Sequence, residues 1–211
     1  MKKTFNIGII GSGSIGGLLG KFWANAGHNI LLSSRNPEKL KPLANEIGNN
    51  VKVGSVQEAA EFGDIILMAV NYKSVDEALQ SIGNRLDNKI VIDATNPLGY
   101  DNEGKLYRMI PEGITAGEFM AKKLPKTKLI KSFTTLWSEY LRKEAFRADE
   151  LLIMPVSGDN ADAKDSVSQL IEDAGFSPYD LGKLKDSRPQ DPGSNIWNKP
   201  LTLIDFEKQI N

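Results

Sequence analysis

The sequence predicts an α/β protein built on a doubly wound, mostly parallel sheet. Three observations carry this. Apolar runs of strand length alternate with helical patterns along nearly all of the 211 residues. Several of these runs, such as 65–70 and 90–93, are continuous rather than alternating, as strands covered on both faces are. Glycines 27, 48 and 175 stand where helices between such strands should end.

In chain order, strands are expected at 5–10, 30–33, 51–53, 65–70, 90–93, 128–133 and 151–156, with a weaker one at 177–181. Helices are expected at 15–26, 37–47, 56–61, 75–85, 117–124 and 162–174. Pro37 follows Asn36 at a natural first helical position, and Ser55 with Glu58 has capping-box spacing. Residues 1–185 read as one nucleotide-binding domain, and 186–211 as a C-terminal loop and extension packing on it. Between 186 and 198 lie two prolines, one glycine and mostly polar residues, a long loop that is either functional or a plain surface connection.

Composition excludes several chemistries. Formal net charge is −1, so no general attraction to nucleic acid is expected. The chain has no cysteine and a single histidine, His28, which rules out disulfides, thiolate catalysis and a multi-histidine metal site. Met1 to Thr4 resembles the start of a leader peptide, but glycines and serines break the following apolar run at once. No run approaches a membrane span. A cytoplasmic location, with no metal and no membrane contact, is the expectation.

The most informative stretch runs from Asn6 to Gly17. Its spacing, Gly11-x-Gly13-x-x-Gly16, fits the dinucleotide-binding fingerprint, and it lies directly between a strand and a helix. Gly11 permits the tight turn, Gly13 lets backbone approach a pyrophosphate, and Gly16 lets the helix lie close to the strand. Ser12, Ser14 and Ile15 lie at the helix N-terminus, where anions are favoured. The fold is therefore expected to be of Rossmann type with a short C-terminal extension.

The end of the second strand selects between the two nicotinamide dinucleotides. An NAD site places a carboxylate there. Here the sequence reads Ser33-Ser34-Arg35-Asn36, with Lys39 one turn on. Arg35 is a planar fork suited to a phosphate, so these residues point to NADP(H). Ligands of such sheets lie at the carboxyl ends of the strands. Val70, Asn71 and Tyr72 end the fourth strand, and Thr95 and Asn96 follow the fifth, where Asn96-Pro97 is also a turn signal.

Acid–base machinery is sparse. His28 lies at a helix-to-strand turn, away from the ligand edge. Tyr179 and Lys183 have the spacing of a dehydrogenase pair, but Gly182 intervenes and the stretch is strand-like rather than helical. Tyr72, Tyr140 and Lys131 remain as proton donors without an evident partner. Hydride transfer between two stacked rings chiefly needs alignment, which such a chain can supply.

The segments Gly11 to Gly16, Ser34-Arg35-Asn36, Ala69-Val70, Asp93 to Pro97 and Lys131 to Leu136 resemble the coenzyme F-420-dependent NADP reductase family. They also look similar to the oxidoreductase domains of the STEAP metalloreductases. The resemblance covers roughly residues 5–185. It implies a Rossmann domain binding NADP(H) along the glycine turn and the Ser-Arg pair. It implies a deazaflavin or flavin as second substrate, with Thr134, Thr135, Leu136 and Trp137 on the nicotinamide side, and a homodimer. Many relatives carry Asn where Thr134 stands, and the polar end from Arg188 to Asn211 differs from the apolar closing helices of the archaeal reductase. The function expected is hydride transfer between NADP(H) and a small-molecule acceptor: a deazaflavin, a flavin or a ferric chelate. The alternative is a non-catalytic NADP(H)-binding sensor or partner protein. Trp137, Tyr140, Leu141 and Phe146 serve either as core or as a dimer surface.

Overall fold

The computed structural model describes residues 2–210; Met1, which opens the leader-like stretch, and Asn211 lie outside the described residues. Among the described residues, ten strands occur. These are β1 (Asn6–Ile10), β2 (Asn29–Ser33), β3 (Val51–Gly54), β4 (Ile65–Met68), β5 (Ile90–Asp93), β6 (Leu98–Tyr100), β7 (Leu106–Arg108), β8 (Lys128–Lys131), β9 (Ile153–Gly158) and β10 (Ser177–Asp180). The helices are α1 (Gly16–Asn25), α2 (Lys41–Ile47), α3 (Val56–Phe62), α4 (Val75–Ile82), α5 (Ala116–Lys123), α6 (Ser138–Glu144), α7 (Ala161–Asp173) and α8 (Leu203–Ile210).

Eight strands form one sheet in the order β10-β9-β8-β5-β4-β1-β2-β3, parallel throughout except where β8 meets β9. Side chains alternate through it. Ile7, Ile9, Ile65 and Leu67 face one layer with Leu19 and Trp23 of α1 and Val167 and Leu170 of α7. Ile10, Ile66, Met68 and Val91 face the other, with Ala59 of α3, Val75 of α4 and Met120 of α5. Continuous apolar strands are what a sheet covered on both faces requires.

The expected strands are all present, within a few residues at their ends. The expected helix at 37–47 opens as a 3-10 turn, Pro37–Leu40, and that at 75–85 closes as another, Gly83–Leu86. The capping box is made: Ser55 Oγ accepts from the Glu58 N–H at 3.2 Å, and Glu58 Oε2 accepts from the Ser55 N–H at 2.7 Å. The β6–β7 hairpin, α6 and α8 were not expected. His28 is not a simple turn residue. It is buried, its Nδ1 accepts from the Phe5 N–H at 3.1 Å, and its Nε2 lies 3.1 Å from Asp173.

The segment after residue 186 is not a plain surface connection. Ser187, Gln190, Asp191 and Ile196 are all buried. Gln190 Nε2 donates to the carbonyls of Lys131 at 3.0 Å and Pro155 at 2.9 Å, and its Oε1 accepts from Ser157 Oγ at 2.7 Å. Asp191 accepts from the first N–H of α5 and pairs with Arg108 at 3.0 Å. This strap ties residues 187–196 to the end of β8 and to β9.

Candidate functional site

Two clefts reach the segment between β1 and α1, one at the glycine turn and the other at Ile15. The first, about 410 Å³, is lined by Gly11, Ser12 and Gly13, by Ser34 and Arg35, and by Val70 and Asn71. The turn between β1 and α1, the end of β2 and the end of β4 thus converge, as neighbouring parallel strands dictate. The second, about 370 Å³, is lined by Ile15, Asn96, Leu136 and Trp137 among others.

The glycines differ in what they make room for. Gly11 has φ +95°, and a Cβ there would lie 2.8 Å from the Ala69 carbonyl. At Gly16 a Cβ would come within 2.2 Å of the Gly11 carbonyl. At Gly13 a Cβ would meet no protein atom within 4 Å. Gly11 and Gly16 are therefore required by the protein's own packing, whereas Gly13 leaves room only toward the cleft. The turn presents other unfilled valences. Helix α1 begins without a side-chain cap, and Ser12 Oγ is buried without a partner among the described residues. Buried polar groups are otherwise nearly always paired. Open space over Gly13, an uncapped helix start and an orphaned hydroxyl fit the pyrophosphate of a dinucleotide.

Arg35 is exposed on the cleft wall, and among the described residues no carboxylate pairs with it. Ser34 is half-buried and its Oγ accepts from the Asn36 N–H at 3.1 Å. Other expected residues stand apart. Ser33 is buried and donates to the Ile9 carbonyl at 2.6 Å, which holds β2 to β1. Lys39 and Asn36 are exposed, and neither lines the cleft; Ser14 is exposed beside it.

Thr95 is likewise turned inward, because its N–H and hydroxyl both donate to Asp93 Oδ1, at 2.9 and 2.6 Å. Asp93 in turn is paired with Lys131 at 3.0 Å, and both are fully buried. Lys131 also donates to the Thr95 carbonyl at 2.7 Å, so it has no path to solvent as a proton donor. Tyr72 stands off the cleft lining. Burial, together with the negative charges of Asp93 and Asp76, pushes its phenol up to about 12.

Asn96 reaches the second cleft. Its Nδ2 donates to the Thr134 carbonyl at 2.9 Å, and its Oδ1 has no partner among the described residues. Phe133 adopts φ +58°, after which Thr134 and Thr135 lie buried, facing the Gln190 carbonyl and Met154. Leu136 and Trp137 are the members of that quartet that line the cleft. Sequence reasoning missed Val56 and Glu77 on the first cleft and Glu139 on the second. Glu77 lies on the amphipathic α4, where the pattern shows an exposed face but not what it overlooks. Of the residues weighed as a dimer surface, Leu141 is buried, Tyr140 half-buried, and Trp137 and Phe146 exposed.

Among the described residues no helix is long and apolar enough to cross a membrane, and no group of three or more His, Asp or Glu is placed to hold a metal ion.

Comparison with known proteins agrees with this geometry. The chain is 26% identical over 187 residues to the metalloreductase STEAP3 of Rattus norvegicus, which covers 89% of this chain and 36% of the relative. It thus spans little more than a third of the curated relative's length. A hypothetical protein of Sinorhizobium meliloti superimposes with a TM-score of 0.82 at 28% identity, over 95% of this chain and 96% of that one. A protein of Arthrobacter sp. FB24, named provisionally as an F420-dependent NADP-reductase, shares the fold with a TM-score of 0.75 at 23% identity, over 87% of each chain. Residues 6–97, which hold the glycine turn, the Ser-Arg pair and Asn96, match the family model described as NADP oxidoreductase, coenzyme F420-dependent.

Proposed function

We propose that this protein is an NADP(H)-dependent oxidoreductase that passes hydride between the nicotinamide and a flavin-like acceptor, a deazaflavin or a flavin, or gives the hydride's two electrons to two equivalents of a ferric chelate with release of its proton. The observation that carries the reading is Arg35, whose guanidinium lies on the wall of the cleft that the glycine turn opens and pairs with no carboxylate among the described residues. A guanidinium at the end of β2 attracts a 2′-phosphate, where a carboxylate would repel it. The family match over residues 6–97 and the metalloreductase name of the rat relative support the same class.

In this reading Ser12 Oγ and the start of α1 hold the pyrophosphate, Ser34 and Arg35 the 2′-phosphate, and Val70 and Asn71 the ribose. Bound dinucleotide supplies the hydride. The chain's own task is alignment and exclusion of water: Ile15, Leu136 and Phe133 give the second cleft an apolar wall. Neither Lys131, sealed in its ion pair, nor Tyr72, whose phenol holds its proton up to about 12, is suited to proton transfer near neutral pH. That favours an acceptor reduced without a protein acid.

Fluorescence titration with NADPH and NADH tests the reading. Arg35→Ala is expected to weaken NADPH binding by about 1.5–3 kcal/mol, the range for hydrogen bonds to charged groups, and to leave NADH unchanged. Equal affinity of the wild-type chain for the two cofactors would overturn the NADP assignment. Failure of NADPH to be oxidised by any flavin, deazaflavin or ferric chelate would leave a binding protein without turnover.

A further inference from the structure

One wall of the first cleft is the surface of α4. Ser74, just before the helix, and Glu77, Ala78 and Ser81 on it line the cleft. Their spacing of three and four residues makes them one helical stripe. Three of the four are small and leave room for a ligand; the fourth is a carboxylate. Glu77 is exposed and pairs with no cation among the described residues. Ser81 Oγ accepts from Gln57 Nε2 at 2.7 Å, which ties α4 to α3. Val56, the first residue of α3, adds an apolar side chain to the same lining.

The strand order says which part of a dinucleotide comes to this wall. Along the sheet the strands run β8-β5-β4-β1-β2. The glycine turn follows β1 and Arg35 follows β2, whereas the second cleft is lined by residues that follow β5 and β8. With the pyrophosphate over the turn and the 2′-phosphate at Arg35, the nicotinamide runs toward β5 and β8. The purine then ends in the first cleft, where Val56 and Ala78 offer apolar surface to its faces. A carboxylate repels phosphate oxygens and accepts hydrogen bonds without donating any. A purine with an amino group at C6 brings it a donor, whereas one with a carbonyl there brings a second acceptor.

We infer that Glu77 is a specificity-determining residue of the first cleft: its carboxylate accepts from the 6-amino group of the dinucleotide's purine, so the cleft takes a 6-amino purine and rejects a 6-oxo one. The inference rests on the NADP(H) reading and adds a selection on the base, at the end of the cofactor that takes no part in hydride transfer.

The test uses the full chain and four probes: NADPH, NADH, and the two analogues in which hypoxanthine replaces adenine. All carry the same dihydronicotinamide, whose fluorescence reports binding. The parent is expected to bind NADPH about tenfold tighter than its hypoxanthine analogue. Glu77→Gln, whose amide can either donate or accept, should bind the two within about twofold of each other. Glu77→Ala should lose the preference as well. Because the residue is exposed, both variants should melt as the parent does. Equal affinity of the parent for NADPH and its hypoxanthine analogue overturns the inference, as does a preference that survives in both variants. A parent that binds NADPH and NADH equally, yet each tighter than its hypoxanthine analogue, would sink the NADP(H) reading and leave the base selection standing. A parent that prefers NADPH to NADH but ignores the base would do the reverse.

Discussion

Lys131 Nζ lies 3.0 Å from Asp93 Oδ2 in the middle of the sheet, with both side chains fully buried. Two adjacent strands, β5 and β8, each carry one charge. The remaining valences are filled by Thr95, through its N–H and hydroxyl to Asp93 and its carbonyl to Lys131. The pair therefore sets the backbone that leads into Asn96. Removing one partner strands the other, which costs about 3–5 kcal/mol for a buried pair. Lys131→Met is expected to lose that much in urea denaturation, and Lys131→Met with Asp93→Leu to recover part of it. A single variant as stable as the parent would show that the pair is not buried in solution.

The glycines at 13 and 16 make opposite demands. Gly16→Ala places a Cβ within 2.2 Å of the Gly11 carbonyl, so the turn must shift and the melting temperature should fall by several degrees. Gly13→Ala meets no protein atom within 4 Å and should melt as the parent does. Its methyl group intrudes on the space for phosphate, so NADPH affinity should drop at least tenfold. If Gly13→Ala binds NADPH normally, the pyrophosphate does not pass over this turn.

Gln190→Ala removes the side chain that joins Lys131, Pro155 and Ser157. Each buried group left without a partner costs about 1–3 kcal/mol. Thermal unfolding should show that loss. Unchanged stability would mean that water replaces the glutamine.

Asp173 gives a pH dependence. Burial by itself would raise its carboxyl, but hydrogen bonds from Lys2, His28 and Gln169, with the Lys2 charge, outweigh burial and hold it below its ordinary value. A carboxyl lowered in the folded state stabilises above its unfolded value, about 3.9, and the contribution is lost as pH falls through the folded value. The parent should therefore exceed Asp173→Asn in stability near neutral pH. That difference should shrink between about pH 5 and pH 2, followed by denaturation at each pH. A constant difference would show that Asp173 titrates alike in both states.

Much of this was legible in the residues themselves. Buried parallel strands declare themselves by continuous apolar runs, and the glycine turn by its place between β1 and α1. The hairpin did not, because β6 and β7 have three residues each and leave Tyr100, Leu106 and Tyr107 exposed, too short for any period to show. Helix α6 buries only Leu141, so it carries no stripe. Ser33 and Thr95 were placed correctly along the chain but on the wrong face. Their hydroxyls are recruited by Ile9 and Asp93, and such pairings depend on neighbours that sequence alone does not bring together. Gln190 is the sharpest case. A glutamine in a polar, proline-rich stretch reads as surface until its three partners on β8 and β9 are in view.

The strap has a consequence for the order in which the two clefts come into being. Every residue of the first cleft lies before position 82, and so leaves the ribosome early. The second cleft is braced by Gln190 and Asn198, which emerge later. During synthesis the chain thus reaches a stage at which the first cleft can close while the second still lacks its brace. The second cleft is complete only once residues 190–198 are laid down.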